Sequence, residues 1–267
     1  MDESKQDFEA AATDSVGNLT GTVISDLHLL TNRSTATQHM ETIQQAANNS
    51  AVVVLNGDIF DFKWSIHPSL TMSIEQASRW LRDLADGHTD CRWIVLLGNH
   101  DDHIEYQTAL DQLAFTCPNL AWHDQLVTIG TKVFLHGDVC HAGGSNRHLE
   151  TYRAKYRVAP IQTQWQHGLY KAVSRLGVQQ VASRLTSKRK AAKRLDQYLH
   201  QEMGSEFKRY TDVYFGHVHQ PFLDYEYHGR KYHNSGAALI GAKLKPIQFS
   251  VNAADLAIID RQLELTV

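Results

Sequence analysis

Seven residues that commonly ligate metals stand directly after short apolar runs in this 267-residue chain. Residues 21–25 lead into Asp26-Leu27-His28, and residues 51–55 into Asn56-Gly57-Asp58. Residues 93–97 lead into Gly98-Asn99-His100-Asp101, and residues 132–135 into His136-Gly137-Asp138. Residues 212–215 lead into Gly216-His217-Val218-His219, whose two histidines share one face of an extended segment. Imidazoles together with carboxylate and amide oxygens suit first-row divalent cations such as Mn, Fe or Zn. Asp26, His28, Asp58, Asn99, His136, His217 and His219 exceed what one tetrahedral ion needs. They match two ions about 3.5–4 Å apart that share a carboxylate. Each fragment alone has an ordinary reading: Asp26-x-His28 as a turn with a surface histidine, Gly57-Asp58 as a plain strand exit. The five together, in this order, carry the reading.

The elements that must position them follow from periodicity. Short β-branched runs bounded by Gly and Asp read as buried strands. Residues 37–49, 73–86 and 104–114 repeat apolar residues at helical spacing, with Met40, Ile43 and Ala47 on one face of the first. Ala77, Trp80, Leu81 and Leu84 share a face of the second. This alternation predicts βαβ units around a largely parallel core, with ligands outside the carboxyl ends of the strands. Residues 225–233, 249–253 and 256–260 read as further strands with no helix between them, in a second, antiparallel-leaning sheet. Residues 141–210 break the rhythm and read as a helical insertion: Trp165, Leu169, Val173 and Leu176 recur at helical spacing, as do Leu195, Tyr198 and Leu199. Residues 1–20 read as a partly disordered leader, and 21–267 as one domain carrying the insertion.

Apolar residues are 42% and charged residues 21%, which excludes a wholly disordered or fibrous chain. No stretch approaches the 18 apolar residues of a membrane span. Three cysteines without a CxxC pair argue against a disulfide framework and fit a reducing, cytoplasmic setting. The net charge of −3 hides an asymmetry. Residues 141–210 hold fourteen Lys/Arg against four Asp/Glu, a balance of +10, while the remainder carries −13. Two readings of this basic segment stand: a solvated helical face, or a surface for an anionic partner. Its neutral face likewise either packs on the body or binds.

The motifs Asp26-x-His28, Gly57-Asp58-x-x-Asp61, Gly98-Asn99-His100-Asp101, His136-Gly137-Asp138 and Gly216-His217-x-His219 resemble the calcineurin-like metallophosphoesterase superfamily from about residue 20 to about residue 260. The resemblance implies a four-layer α/β/β/α sandwich with a dinuclear site between strand ends. It implies that Asp26, His28, Asp58 and His219 hold one metal, and Asp58, Asn99, His136 and His217 the other. Manganese is the first expectation for both, with Fe or Zn as alternatives. Such a pair lowers the pKa of a bridging water and offsets charge on the phosphoryl oxygens, so hydrolysis proceeds by activated hydroxide. His100, beside Asn99 but outside the ligand set, is placed to protonate the leaving oxygen. Asp61 resembles the family's partner that orients this histidine; its other reading is a solvated loop carboxylate. Asp101 and Asp138 are expected to hydrogen-bond backbone or ligand histidines.

The basic helical insertion after His136-Gly137-Asp138 is similar to the lid of the UDP-2,3-diacylglucosamine pyrophosphohydrolases of lipid A synthesis. So are Ile24-Ser25-Asp26-Leu27-His28-Leu29 and Gly57-Asp58-Ile59-Phe60-Asp61-Phe62-Lys63-Trp64. That likeness implies a lipid-linked phosphodiester or pyrophosphate substrate. Trp165 and Leu169 would line an acyl groove, and Arg184, Lys188, Arg189 and Lys193 would face an anionic membrane as a peripheral contact. The chain departs from that group with His100 and Gln220 where arginines usually stand, and with His141-Ala142-Gly143-Gly144 where acidic residues are usual. Two other classes stand as alternatives: a phosphomonoesterase acting on nucleotides or proteins, and a non-catalytic interaction protein, which metal analysis would separate. No nucleic-acid partner is expected, since the segment lacks a stacking array and the chain is slightly acidic, with a pI near 6.6.

Overall fold

Two five-stranded sheets stack face to face with helices on both outer sides. The computed structural model describes residues 18–143, 145–157 and 187–265. The first sheet has the order β10-β1-β2-β3-β4, formed by β10 (Ile247–Asn252), β1 (Asn18–Ile24), β2 (Val52–Asn56), β3 (Arg92–Leu96) and β4 (Leu120–His123). The second has the order β5-β6-β7-β9-β8, from β5 (Leu126–Ile129), β6 (Lys132–Leu135), β7 (Asp212–Phe215), β9 (Arg230–Asn234) and β8 (Phe222–Tyr227). The described helices are α1 (Met40–Asn48), α2 (Leu70–Gly87), α3 (Ile104–Thr116), α4 (Asn146–Arg157), α5 (Lys188–Met203) and α6 (Ala253–Leu265).

The two-residue period of each strand builds the layers. Val52 and Val54 of β2, with Ile94 and Leu96 of β3, point between the sheets, where they meet Phe134, Tyr214 and Phe249. Val53, Leu55, Trp93 and Val95 point the other way, into a core closed by Ile43, Ala77, Leu81, Leu110 and Leu113 of α1, α2 and α3. Val133, Leu135, Val213 and Phe215 face Ala191, Leu195, Tyr198 and Leu199 of α5. Strands buried on both sides read as continuous apolar runs, which is why β2 and β3 stand out in the sequence.

Parallel pairing sets the position of the motifs. In the first sheet Ile24 pairs with Leu55, and Leu55 with Val95. In the second, Leu135 pairs with Phe215. All five motif strands therefore end along one edge of the sandwich, three from one sheet and two from the other. They do not share a single sheet.

Four expectations change. The run 225–233 is not one strand but parts of β8 and β9, a hairpin turned at His228 and Gly229, which both adopt positive φ. The run 256–260 lies inside α6 and is not a strand. Leu256, Ile259 and Leu263 repeat at helical spacing, and the Asn252 side chain accepts from the Asp255 N–H at 2.7 Å, capping the helix. The second sheet is mixed, because β6, β7 and β9 run parallel while β5 and β8 add antiparallel edges. The strand near 249–253 does not join it; β10 pairs antiparallel with β1 at the edge of the first sheet. Two short strands, β4 and β5, had no periodic signal of their own.

In the insertion, α4 and α5 are described, and Leu195, Tyr198 and Leu199 are buried against the second sheet. Trp165, Leu169, Val173 and Leu176 lie outside the described residues, as does Arg184. No helix among the described residues is long and apolar enough to cross a membrane.

Candidate active site

Backbone conformation at the strand exits turns the donors toward one another. Asp26, His28, Asp58, His217 and His219 all adopt positive φ, from 46° at His28 to 64° at His217. Such conformations cost non-glycine residues about 1–3 kcal/mol each and persist only where surrounding structure enforces them. Here the exits are cross-tied: Asp26 N donates to Gly57 O at 3.1 Å and His28 N to Asp58 O at 3.0 Å. His217 N donates to both Asp26 carboxylate oxygens, at 3.1 and 3.0 Å.

Glycine makes room for the carboxylates. A Cβ on Gly98 would collide with Asp58 Oδ1, and one on Gly216 with Asp26 Oδ2. Gly98 and Gly216 are thus each the floor beneath another motif's carboxylate, while Gly57 lies against the His136 ring.

The donors gather in two sets. Asp26, His28 and His219 converge, as do Asp58, His136 and His217, each with its ligand atoms within 4.8 Å of one another. His219 Nε2 lies 3.1 Å from Asp26 Oδ1 and 3.3 Å from His28 Nε2. His136 Nε2 lies 3.2 Å from Asp58 Oδ2 and 3.3 Å from His217 Nδ1. Asp58 Oδ2 is also 3.9 Å from His28 Nε2, so its carboxylate stands between the sets. Asn99 adds a side chain whose oxygen and nitrogen are both buried without a hydrogen-bond partner.

The electrostatics follow from two buried carboxylates among imidazoles. Burial alone would raise Asp58, yet His136 and His100 hold it well below the usual carboxylate range. Burial disfavours charge on His136, but Asp58 lifts it to about 10. Burial and Arg33 lower His28 to about 4, which keeps its imidazole neutral, the form that binds metal. Facing ring nitrogens, two carboxylates and an unsatisfied amide are a donor set that fits two divalent cations of the borderline class.

A third group stands beside these. His100 Nδ1 lies 3.0 Å from Asp61 Oδ1, and the His100 backbone N–H donates to Asp58 Oδ1 at 2.8 Å. Burial would lower His100, but Asp61 and Asp58 raise it. Asp61 is fully buried, which removes the reading as a solvated loop carboxylate. Tyr156 of α4 packs edge-on against the His100 ring at 4.9 Å, and Lys63 Nζ lies 5.1 Å over the Tyr156 ring.

Asp101 accepts from the backbone of Gly98 at 2.7 Å and Ile59 at 2.8 Å, bracing β3 against β2. Asp138 binds Arg153 at 2.7 Å, not a ligand histidine. Lys188, Arg189 and Lys193 of α5 are exposed, and Lys188 Nζ lies over the Phe222 ring.

Sequence reasoning missed three residues. Arg33 contacts Asp61, Arg153 ties α4 to Asp138, and His141 Nδ1 lies 2.6 Å from His217 Nε2. No local pattern marks Arg33 or Arg153. His141 was visible as the residue that replaces an acidic one, but its contact with His217 depends on the second sheet's pairing.

The two-sheet sandwich brings His/Asp donor sets that could hold metal ions to one edge. Residues 20–221 match the calcineurin-like phosphoesterase family, and the chain belongs to it. Members of this family usually use divalent metals. Among solved structures, the chain bears a likeness to a conserved uncharacterized protein, a predicted phosphoesterase, from Streptococcus pneumoniae TIGR4. That match covers 88% of this chain and 85% of the other, at 12% identity and a TM-score of 0.37. No curated protein matches the chain.

Proposed function

We propose that this phosphoesterase hydrolyses a phosphodiester or pyrophosphate bond with two divalent metal ions, manganese first among them. The observation that carries the reading is the pair of donor sets with the Asp58 carboxylate between them, and the His100–Asp61 pair beside them. Asp26, His28, Asp58 and His219 would hold one ion, and Asp58, Asn99, His136 and His217 the other. When bound, such a pair supplies Lewis acidity toward the phosphoryl oxygens and a water activated near neutral pH. The chain's own residues do the rest. Asp61, 3.0 Å from Nδ1, favours a proton on that nitrogen and leaves Nε2 to deliver one to the departing oxygen. Burial of Asp26 and Asp58 at 0 and 1% exposure keeps bulk water from screening them.

The substrate we propose is lipid-linked, of the UDP-2,3-diacylglucosamine type or a related one. What supports this is the likeness of the lid and its basic character, with Lys188, Arg189 and Lys193 exposed on α5 as a peripheral membrane contact would need. His100 favours a second reading, an acid-assisted phosphomonoesterase, since a neutral poor leaving group gains most from a proton donor. The test is purification with metal quantification, then hydrolysis of bis-nitrophenyl phosphate, nitrophenyl phosphate and UDP-diacylglucosamine, with and without EDTA. The proposal expects EDTA-sensitive cleavage of the diester and the lipid diphosphate ahead of the monoester. Preference for the monoester selects the second reading, and fewer than one ion per chain with no cleavage leaves a non-catalytic fold.

A further inference from the structure

Arg33 lies in the turn after β1, five residues past His28, and is 5% exposed. Its backbone oxygen accepts from Ile240 N at 3.0 Å, which fixes the turn. Its Nη2 donates to Asp61 Oδ2 at 2.5 Å and stands 3.3 Å from His28 Nδ1. The two oxygens of Asp61 are divided. Oδ1 accepts from Trp64 N at 3.1 Å and faces His100 Nδ1 at 3.0 Å. Oδ2 takes the guanidinium and lies 3.6 Å from His28 Nδ1. One buried carboxylate therefore stands close to both a ligand-set histidine and the acid histidine, held by Arg33 on one oxygen and Trp64 N on the other.

We propose that Arg33 is a positioning residue which, by fixing Asp61, sets the metal affinity of the His28 set and the proton delivery of His100 together. The inference rests on the hydrolase reading above. Partners of a ligand histidine's outer nitrogen govern its ring orientation and basicity. A carboxylate released from Arg33 keeps only its bond from Trp64 N and pivots about it, loosening both approaches in one motion. A guanidinium presents a rigid fork that an ammonium does not, so lysine at this position restores charge but only part of the geometry.

The experiment uses the full chain, stripped with EDTA, as wild type, R33M, R33K, D61N and the double variant R33M/D61N. Calorimetric titration with Mn2+ alone reads metal affinity. Turnover of bis-nitrophenyl phosphate against diphenyl phosphate reads dependence on the leaving group. R33M weakens Mn2+ binding by ~10–100-fold and loses more turnover on the diphenyl ester than on the nitrophenyl ester. R33K recovers part of both losses. Adding R33M to D61N changes the leaving-group dependence no further, because the arginine reaches His100 only through Asp61; its own approach to His28 leaves a further change in Mn2+ affinity. Wild-type affinity with equal losses on both esters in R33M overturns the proposal. So does a leaving-group dependence that worsens further in the double variant, the mark of a merely structural arginine. Should R33M not fold, R33K alone and in the D61N background gives the same comparison. A wild-type chain that binds no Mn2+ and cleaves neither ester overturns the hydrolase reading, and the Arg33 role falls with it.

Discussion

Replacing Gly98 with alanine tests how the strand exits fit together. The added methyl would stand 2.6 Å from the Asp58 backbone nitrogen and 2.8 Å from His136 Cδ2, and would collide with Asp58 Oδ1. Ordinary contact begins at 3.4 Å, so relief from 2.6 to 3.4 Å requires a 0.8 Å separation of the β2 and β3 exits. That movement opposes the bonds from Gly98 N and Ile59 N to Asp101, and from His100 N to Asp58. Overpacking of this kind costs about 1–3 kcal/mol. For a chain of this size that lowers Tm by roughly 2–12 °C. If Asp58 yields instead of the backbone, the same energy appears as a ~5–150-fold loss of metal affinity. The two measurements are differential scanning calorimetry of the EDTA-stripped chain and calorimetric titration with Mn2+. Gly87, the last residue of α2, is the control, since a methyl there meets nothing within 4 Å. Gly87→Ala should leave metal binding intact and hold or raise stability, by up to ~1 kcal/mol. Wild-type Tm and wild-type Mn2+ affinity in Gly98→Ala would refute the reasoning, because the carboxylate could not then occupy that space.

Asp58→Ala should lose bound metal and activity together, as it removes the carboxylate between the two donor sets; activity with normal metal content counts against sharing. His100→Ala should retain metal yet lower turnover by ~10²–10⁴-fold for a poor leaving group and much less for a nitrophenolate; equal losses on both contradict the acid role. Asp61 raises His100, so Asp61→Asn should shift the alkaline limb of turnover on the poor leaving group to lower pH, where the wild type is still protonated. Neutralising Lys188, Arg189 and Lys193 should weaken binding to anionic liposomes and spare turnover of small esters, each charge contributing up to ~1 kcal/mol at a charged surface. Unchanged liposome binding removes the membrane reading of α5.

Much of the site was legible because its donors follow strands that are buried on both faces. Such strands announce themselves as unbroken runs like 51–55 and 93–97, and the polar residue that ends each run is conspicuous. The order of the runs within two sheets was not legible, since pairing such as Ile24 with Leu55, or β10 with β1, links positions far apart in the chain. The strand reading of 256–260 failed for a local reason. Its five residues suit a short strand, and only the longer window, from the Asn252 cap to Leu263, shows the helical period. Arg33 escaped because its main partner, Asp61, lies twenty-eight residues away.

The backbone also explains why the motifs read as they do. A strand that continued past Ile24 or Leu55 in extended conformation would send alternate side chains to opposite faces and scatter the donors. The left-handed turns at Asp26, His28 and Asp58 break that alternation and swing neighbouring side chains to one side. The second sheet does the same at His217 and His219. These conformations are held by bonds running between exits: Asp26 to Gly57, His28 to Asp58, and the Asp26 carboxylate to His217 of the other sheet. No single strand exit is therefore a stable half-site. The donors of the two sheets meet where the sheets pack on each other through Val54, Leu96, Phe134 and Tyr214, so the packing between the sheets and the geometry of the site are coupled.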